Sequence, residues 1–352
     1  MPDRADTSYE FDPIALMDAM NRAARPSFDA TTKEQAQAWH ARTRSALGNC
    51  LGFLDTPAIA PNPLVIETVD RGTYVRERIV IRTSAHSELP LYLLIPKSPT
   101  NKPRPVVLAL NGHGYGVKDI VGLWEDGSER KTPDGYHNDF GCGLAEAGFV
   151  VAAPEISGFG ERQHSYKNAS AWRLNATCHG GNTYAIMLGK SIAGLRVLDN
   201  IRTLDYLATR PEVDMGSVAT MGISGGGMNA FFSAAMDQRV KAAVISGYFC
   251  DWRHSVLDIF HCTCNFVPGL LKLGELSDVA ALLAPRPVLV QAGTHDDIFP
   301  IEPVKQTVER ARKAWRVLGA EQDLQADYFE GRHRINLGPA LNFLTQQLPN
   351  HH

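Results

Sequence analysis

The sequence predicts an α/β fold: a mostly parallel, twisted sheet with an antiparallel start and helices on both faces. Three observations carry that reading. Runs such as "PVVLAL" and "VVAAP" are apolar along their whole length, and "VKAAVIS" is apolar but for Lys241 and its final serine, the near-continuous pattern of strands covered on both faces. They alternate with stretches of helical period, the rhythm of parallel strands joined by crossover helices. The first three strand-like runs, "LVIETV", "YVRERIVIRT" and "LPLYLLIP", instead mix polar with apolar residues and follow one another closely, which suits antiparallel pairing.

The elements follow in order. Residues 1–60 read as a helical N-terminal extension, with Thr31 and Glu34 at capping-box spacing ahead of "QAQAWHARTRSALG" and with Pro61 and Pro63 closing the region. Residues 61–350 form the α/β domain. After its three opening strands come the strand "RPVVLAL", the short helix in "HNDFGCGLAEAGF" and the strand "VVAAP". One long helix is expected from Tyr184 to Thr209, with Ile192, Leu195, Leu198, Ile201 and Leu204 on a single stripe. Then "SVATMG", "VKAAVIS", "RPVLVQAG" and "LQADYFE" read as strands, and "GGMNAFFSAAM", "PVKQTVERARKAWRVLG" and "GPALNFLTQQL" as helices. Two long irregular stretches, 116–136 and 157–183, interrupt the pattern; loops of that length in a compact domain are commonly lids or binding loops, here framing a pocket together with the N-terminal segment.

Composition excludes several classes of function. The chain has 352 residues, of which 44% are hydrophobic and 21% charged, with a net charge of -3. Without a run of lysines or arginines, neither nucleic acid nor an anionic membrane is an expected partner. No apolar run approaches the roughly 18 residues of a membrane span. The opening "MPDRADTSYEFDPIALMDAM" carries acids early and lacks the apolar core of a signal peptide, so a cytoplasmic protein is expected. A homo-oligomer is compatible with all of this. The six cysteines are scattered and read as reduced, half-buried thiols. Cys262 and Cys264 beside His261 have the look of one corner of a metal site, but no second Cys/His pair stands at zinc spacing, so no metal and no cofactor is expected.

The chemistry concentrates at "MGISGGGMNA", where Gly222-Ile223-Ser224-Gly225-Gly226 falls between a strand and a helix. A serine on such a sharp turn is an exposed nucleophile, and small residues two before and two after it let strand and helix approach. A nucleophilic serine needs a base and an acid to orient it, and on this type of elbow they follow in the order serine, acid, histidine. "VLVQAGTHDDIFP" supplies Asp296 and Asp297 just past a later strand, and "ADYFEGRHRIN" supplies His333 between the last strand and the last helix. His295 shares the loop of the acid and is a poor base. The oxyanion of an acyl-transfer reaction would take the backbone N–H of Gly225 and one from the loop after "VVLAL", where His113 is the expected donor and Tyr115 the donor in a shifted register.

Flanking residues read as structural. Glu155 and Arg162 in "PEISGFGER" are expected to pair and brace their loop. The "CHGG" of Cys178 to Gly181 is placed in the second long loop, near the pocket. Trp252, Phe260 and Phe266 are expected to pack into the core between two strands.

With these motifs in hand, the chain resembles an α/β-hydrolase of the branch that holds dienelactone-hydrolase-like proteins and acetyl xylan esterase-like carboxylesterases. The resemblance runs from about Val65 to Leu348 and rests on "NGHGYG", "PEISGFGER", "VATMGISGGGMNAFFSAAMDQRVKAAV", "CNFVPGLL", "LLAPRPVLVQAGTHDDIFP" and "EGRHR". It implies a serine carboxylesterase in which Ser224 is the nucleophile, Asp296 the acid and His333 the base; a thioesterase, amidase or peptidase with the same triad is the alternative, and an inactive binding protein of this fold would be expected to lack a triad member. It also implies a small ester or acylated sugar as substrate. Dienelactone hydrolases proper carry a cysteine nucleophile; the serine here favours ordinary esters.

Overall fold

The structure is a computed structural model and describes residues 13–24, 27–97, 102–164 and 177–348. Nine strands form one sheet in the order β1-β2-β3-β5-β4-β6-β7-β8-β9. The opening strands β1 (Leu64–Asp70), β2 (Tyr74–Ser84) and β3 (Ser87–Pro96) pair antiparallel, and β3 joins the rest through an antiparallel pairing with β5 (Val150–Pro154). From β5 onward every pairing is parallel, through β4 (Arg104–Leu110), β6 (Val213–Ile223), β7 (Val240–Ser246), β8 (Val288–Gly293) and β9 (Leu324–Phe329). The antiparallel start and parallel remainder follow the change of pattern read in the sequence.

The period of two along each strand divides the core between the two faces of the sheet. Val106 and Leu108 of β4, with Ile245 of β7 and Val290 of β8, join a core covered by helices α2 (Lys33–Leu51), α5 (Ile192–Leu207), α6 (Gly225–Met236) and α8 (Ile301–Val317). Val107 and Ala109, with Val244 and Leu289, face the other way into a second core closed by α3 (Phe140–Glu146) and α9 (Leu337–Gln347). Burial on both faces is why these strands read as unbroken apolar runs. Among the described residues, no helix is long and apolar enough to cross a membrane.

The N-terminal segment contributes α1 (Pro13–Ala24) and α2. Ala36, Trp39, Leu47 and Leu51 of α2 are buried in the same core as the strands. The capping box sits one residue later than the sequence suggests. Thr32 is the N-cap, accepting from the Gln35 N–H at 3.3 Å, while Gln35 Oε1 accepts from the N–H groups of both Thr31 and Thr32. Glutamine reaches back as well as glutamate does, which is why the Thr31–Glu34 spacing was a decoy.

A second difference concerns the long helix expected over 184–209. It is two helices, α4 (Cys178–Met187) and α5, separated by Gly189 in the left-handed region at φ 68°. Ser191 then caps α5 by accepting from the Gly194 N–H at 3.1 Å, and its own hydroxyl donates to the Leu51 carbonyl of α2. The stripe from Ile192 onward is the apolar face of α5 alone. "CHGG" is accordingly the first turn of α4 and not loop.

Candidate active site

The carboxyl ends of the parallel strands define one rim of the sheet, where ligands bind in open α/β folds. Leu110 pairs with Gly222, Ile223 with Ser246, and Gly293 with Phe329, so the ends of β4, β6, β7, β8 and β9 stand side by side.

Ser224 lies between β6 and α6 with φ 59° and ψ -123°. A non-glycine residue there carries roughly 1–3 kcal/mol of backbone strain, held by the surrounding structure. The holding contacts are local. The Ser224 N–H donates to the Ser246 carbonyl of β7 at 3.0 Å, and the Ser224 carbonyl accepts from Met228 of α6 at 2.9 Å. The glycines allow the crossing. A methyl group on Gly226 would stand 1.9 Å from the Leu110 carbonyl oxygen, and one on Gly222 would stand 2.3 Å from the Gly226 carbonyl oxygen. Gly225 has room, its nearest neighbour being His113 Nδ1 at 3.4 Å. Gly226→Ala should therefore cost about 3 kcal/mol or more in denaturant unfolding, because the α6 start must lift off β4, whereas Gly225→Ala should cost far less. Equal stability of the two variants would refute this account of the elbow.

Asp296 and His333 are brought together at the ends of β8 and β9. Asp296 Oδ2 lies 2.6 Å from His333 Nδ1, and Oδ1 accepts the N–H groups of Ile298 and Phe299 at 2.9 and 3.1 Å. The carboxylate is buried and fully engaged. Its neighbour Asp297 is exposed and lies 3.5 Å from the exposed Arg332. His333 is clamped between aromatic rings, stacked on Phe299 at 5.8 Å and tilted against Tyr136 at 5.3 Å. It also lies over Gly247, where a Cβ would come within 2.7 Å of its ring. Gly247 directly follows Ser246, the residue whose carbonyl holds the Ser224 N–H. His333 Nε2 is buried with no hydrogen-bond partner among the described residues, so a bond from Ser224 Oγ to Nε2 is not closed in this structure. Such bonds are often long in free enzymes and tighten with substrate.

The loop after β4 passes over the elbow. A Cβ on Gly112 would lie 3.1 Å from Ser224 Cβ, and the His113 ring abuts Gly225. Among the described residues, the N–H groups of His113 and Gly225 donate to nothing. The Tyr115 hydroxyl donates to the Leu123 carbonyl at 2.9 Å and receives Arg130 at 2.7 Å, while its backbone N–H, the donor of the shifted register, likewise donates to nothing among the described residues.

Three further residues, absent from the sequence reading, hold this loop. Tyr136 donates to the His113 carbonyl at 2.6 Å. His137 Nε2 accepts the Gly112 N–H at 2.8 Å, and its Nδ1 faces Asp119 at 3.0 Å. Accepting at Nε2 requires the ring proton on Nδ1, which fixes the tautomer. Burial works to raise the Asp119 carboxyl, but His137 and Arg130 outweigh it and hold it below the usual range. All three residues lie in or beside the first long loop. Its length was the available signal, but length does not say which side chains turn inward.

The structure also gathers a group the sequence analysis does not anticipate. His113, Cys178, Cys262 and Cys264 converge so that one ligand atom from each lies within 4.8 Å of the others. His261, the histidine read with Cys262 and Cys264, is not in this group; its Nδ1 lies 3.3 Å from the Cys262 carbonyl. The expectation that no second Cys/His pair stands at metal spacing holds along the chain but not in space. Of the three aromatics, Trp252 is buried, Phe266 packs against the core and Phe260 is fully exposed, contrary to the packing expected of it.

The model of the Abhydrolase family matches residues 2–334. The chain belongs to the Abhydrolase family. That match takes in the N-terminal helices as well as the sheet, and it supports hydrolase chemistry as the class of activity. A curated relative, "Putative hydrolase YtaP" of Bacillus subtilis (strain 168), is 29% identical over 290 residues, 80% of this chain and 89% of the relative. Among solved structures, a putative acetyl xylan esterase from Bacteroides fragilis NCTC 9343 is similar at TM-score 0.75 and 18% identity, over 93% of this chain and 84% of that one. A glucuronoyl esterase from Solibacter usitatus is similar at TM-score 0.63 and 16% identity, over 92% and 99%. At those identities the structural likeness speaks to the fold.

Within this family member one expected pair is replaced. Arg162 pairs with Asp199 of α5 and with Ser87, not with Glu155. Glu155 lies buried under the first long loop, where it accepts the Val117 N–H at 3.0 Å and leaves space only for glycine at 116 and 160. Burial pushes its carboxyl up to about 7, against the pull of the Val117 and Glu161 N–H groups. Between its ordinary value of 4.5 and about 7 the folded chain holds a proton that the unfolded chain has lost. The contribution of Glu155 is therefore full below the ordinary value and lost as the pH rises through 7, a change on the order of 3 kcal/mol. Measured by denaturant unfolding, Glu155→Gln should gain on wild type as the pH rises from 4.5 to 8. A difference that does not vary with pH would overturn this.

Proposed function

We propose that this Abhydrolase-family chain is a serine carboxylesterase acting on carboxylic esters of short acyl groups, acetyl esters of sugars included. The observation that carries the reading is the strained Ser224 at the end of β6, on the same rim of the sheet as the hydrogen-bonded Asp296–His333 pair and next to the unengaged N–H of Gly225. His333 Nε2 takes the Ser224 proton as Oγ attacks the ester carbonyl. Asp296 holds the other ring proton at Nδ1 and stabilises the imidazolium. The tetrahedral oxyanion sits between the N–H groups of His113 and Gly225, each such donor typically lowering the barrier by roughly 3–4 kcal/mol. The imidazolium then returns its proton to the departing alkoxide. Water, deprotonated by the same nitrogen, cleaves the acyl-serine and releases the acid.

The choice of ester and of sugar rests on the company the fold keeps. Structural neighbours carry the names acetyl xylan esterase and glucuronoyl esterase, both enzymes of carbohydrate esters. A series of p-nitrophenyl esters of increasing acyl length, run beside acetylated sugars and matched thioesters and amides, tests the proposal. Highest kcat/KM on short-chain esters is expected, with a fluorophosphonate probe attached to Ser224 in the peptide map. Faster turnover of the amide or thioester, or a probe that leaves Ser224 unlabelled, would overturn it.

A further inference from the structure

Three cysteines and one histidine from three separate segments meet beside the elbow. His113 comes from the loop after β4, Cys178 from the first turn of α4, and Cys262 and Cys264 from the turn between β7 and β8. Cys264 Sγ lies 3.5 Å and Cys178 Sγ 3.8 Å from His113 Nε2, and the sulfurs of Cys178 and Cys262 are 3.2 Å apart. Ligands bound tetrahedrally at about 2.3 Å for sulfur and about 2.0 Å for nitrogen stand about 3.8 Å apart sulfur to sulfur and about 3.5 Å sulfur to nitrogen. The two sulfur–nitrogen distances match that geometry closely, and all four ligand atoms lie within 4.8 Å of one another, near enough to close on a single ion.

We propose that His113, Cys178, Cys262 and Cys264 bind one zinc ion in a closed, tetrahedral site. Packing of thiols alone gives no reason for this convergence. A thiol is a weak donor and a weak acceptor, so sulfur neighbours satisfy an imidazole nitrogen poorly. Three sulfurs and one imidazole are the donor set of structural zinc, and soft thiolates select against magnesium and calcium. A divalent ion bound here has three thiolates to neutralise, their protons released on binding. Support from outside the ligand set is present: Asn265 Nδ2 donates to Cys264 Sγ at 3.5 Å, and Asn182 of α4 donates to the Thr263 and Phe266 carbonyls, fastening α4 to the turn that bears two ligands.

Four protein ligands leave no open position, so the ion does not act on the substrate as a Lewis acid. Its effect is positional. It ties the His113 loop to α4 and to the 262–264 turn, and so fixes the one backbone N–H that the esterase reading draws from that loop. This consequence rests on the esterase reading; the binding of zinc does not.

The test uses the full chain grown with zinc and purified under reducing conditions without chelator, its metal content read by inductively coupled plasma mass spectrometry. About one zinc per chain is expected. Growth with cobalt should give a protein with a thiolate-to-cobalt charge-transfer band and intense visible bands of tetrahedral cobalt. Cys264→Ser and Cys178→Ser should each lower zinc affinity at least about tenfold, more than loss of an outer hydrogen bond would. Cys50→Ser and Cys142→Ser should hold zinc as wild type does, since neither sulfur is in the group. The cobalt spectrum of wild type stands even if a variant fails to fold. A folded, fully reduced wild type that takes up no added zinc, a cobalt form without the thiolate band, or a Cys178–Cys262 disulfide in metal-free protein would each overturn the proposal. No substrate enters these measurements, so failure of the esterase reading and failure of the zinc site are separate results.

Discussion

Ser224→Ala should lower ester turnover by about five to six orders of magnitude while leaving the melting temperature nearly unchanged. The substitution deletes the attacking oxygen and nothing else of structural weight. What holds residue 224 on its turn is backbone: its N–H on the Ser246 carbonyl and its carbonyl on the Met228 N–H, neither of which involves the hydroxyl. Alanine and serine carry the same Cβ, so the strain at φ 59° is the same in both. The fluorophosphonate label should vanish together with activity. Residual hydrolysis, if measurable, would come from the N–H groups of His113 and Gly225 acting on bound ester with water as nucleophile. Steady-state kinetics and a thermal melt on the same preparation decide the matter. Retention of more than a small fraction of wild-type turnover, with an unchanged melt, would remove Ser224 from the chemistry.

What could be seen in the sequence, and what could not, divides along a physical line. Strands buried on both faces announce themselves, because burial demands apolar residues at nearly every position; "VVLAL" is the buried run that ends β4, and "VKAAVIS", polar only at the exposed Lys241 and at Ser246, is β7. The elbow was legible for the same kind of reason. A crossing where any Cβ would fall 1.9 Å from a carbonyl oxygen tolerates only glycine, and a rule that strict leaves a mark in the sequence. The break between α4 and α5 was not legible, since Ser191 and Gly189 interrupt an apolar stripe whose period runs on across them. Pairings across long separations left the weakest marks. Arg162 had Glu155 seven residues away as a plausible partner and took Asp199, 37 residues away, instead. His137 and Tyr136 gave no local hint of gripping the Gly112–His113 backbone, because the requirement is set by a loop in three dimensions and not by neighbours in the chain. The cysteines make the same point: Cys262 and Cys264 showed one corner of their group, but Cys178 and His113 stand 84 and 151 residues from the cysteines they meet.

Asp296→Asn should cost about 10⁴-fold in kcat, and Asp297→Asn less than about twofold. The first figure follows from proton placement. Asparagine can keep the outer contacts of Asp296, its Oδ1 accepting the Ile298 and Phe299 N–H groups as the carboxylate does now. That leaves the amide NH₂ pointing at His333 Nδ1, where the carboxylate oxygen stood at 2.6 Å. A donor facing Nδ1 forces that nitrogen to accept, so the ring proton moves to Nε2. His333 then presents an N–H to Ser224 where the reaction needs a lone pair, and the imidazolium formed in attack has lost its counter-charge. Fold and substrate affinity should survive, so KM should move little while kcat falls. Asp297 offers no such leverage. Its side chain is 83% exposed and its partner Arg332 is 82% exposed, a pair 3.5 Å apart in water. Exposed ion pairs of that kind contribute roughly 0–1 kcal/mol, and this one touches neither the ring of His333 nor the loop contacts of Asp296. The ranking of the two neighbours therefore tests the assignment without reference to absolute rates. Should Asp297→Asn be the crippled variant, with both proteins folded, the base would be oriented by the other carboxylate and the geometry of the β8 loop in solution would differ by one residue from that described.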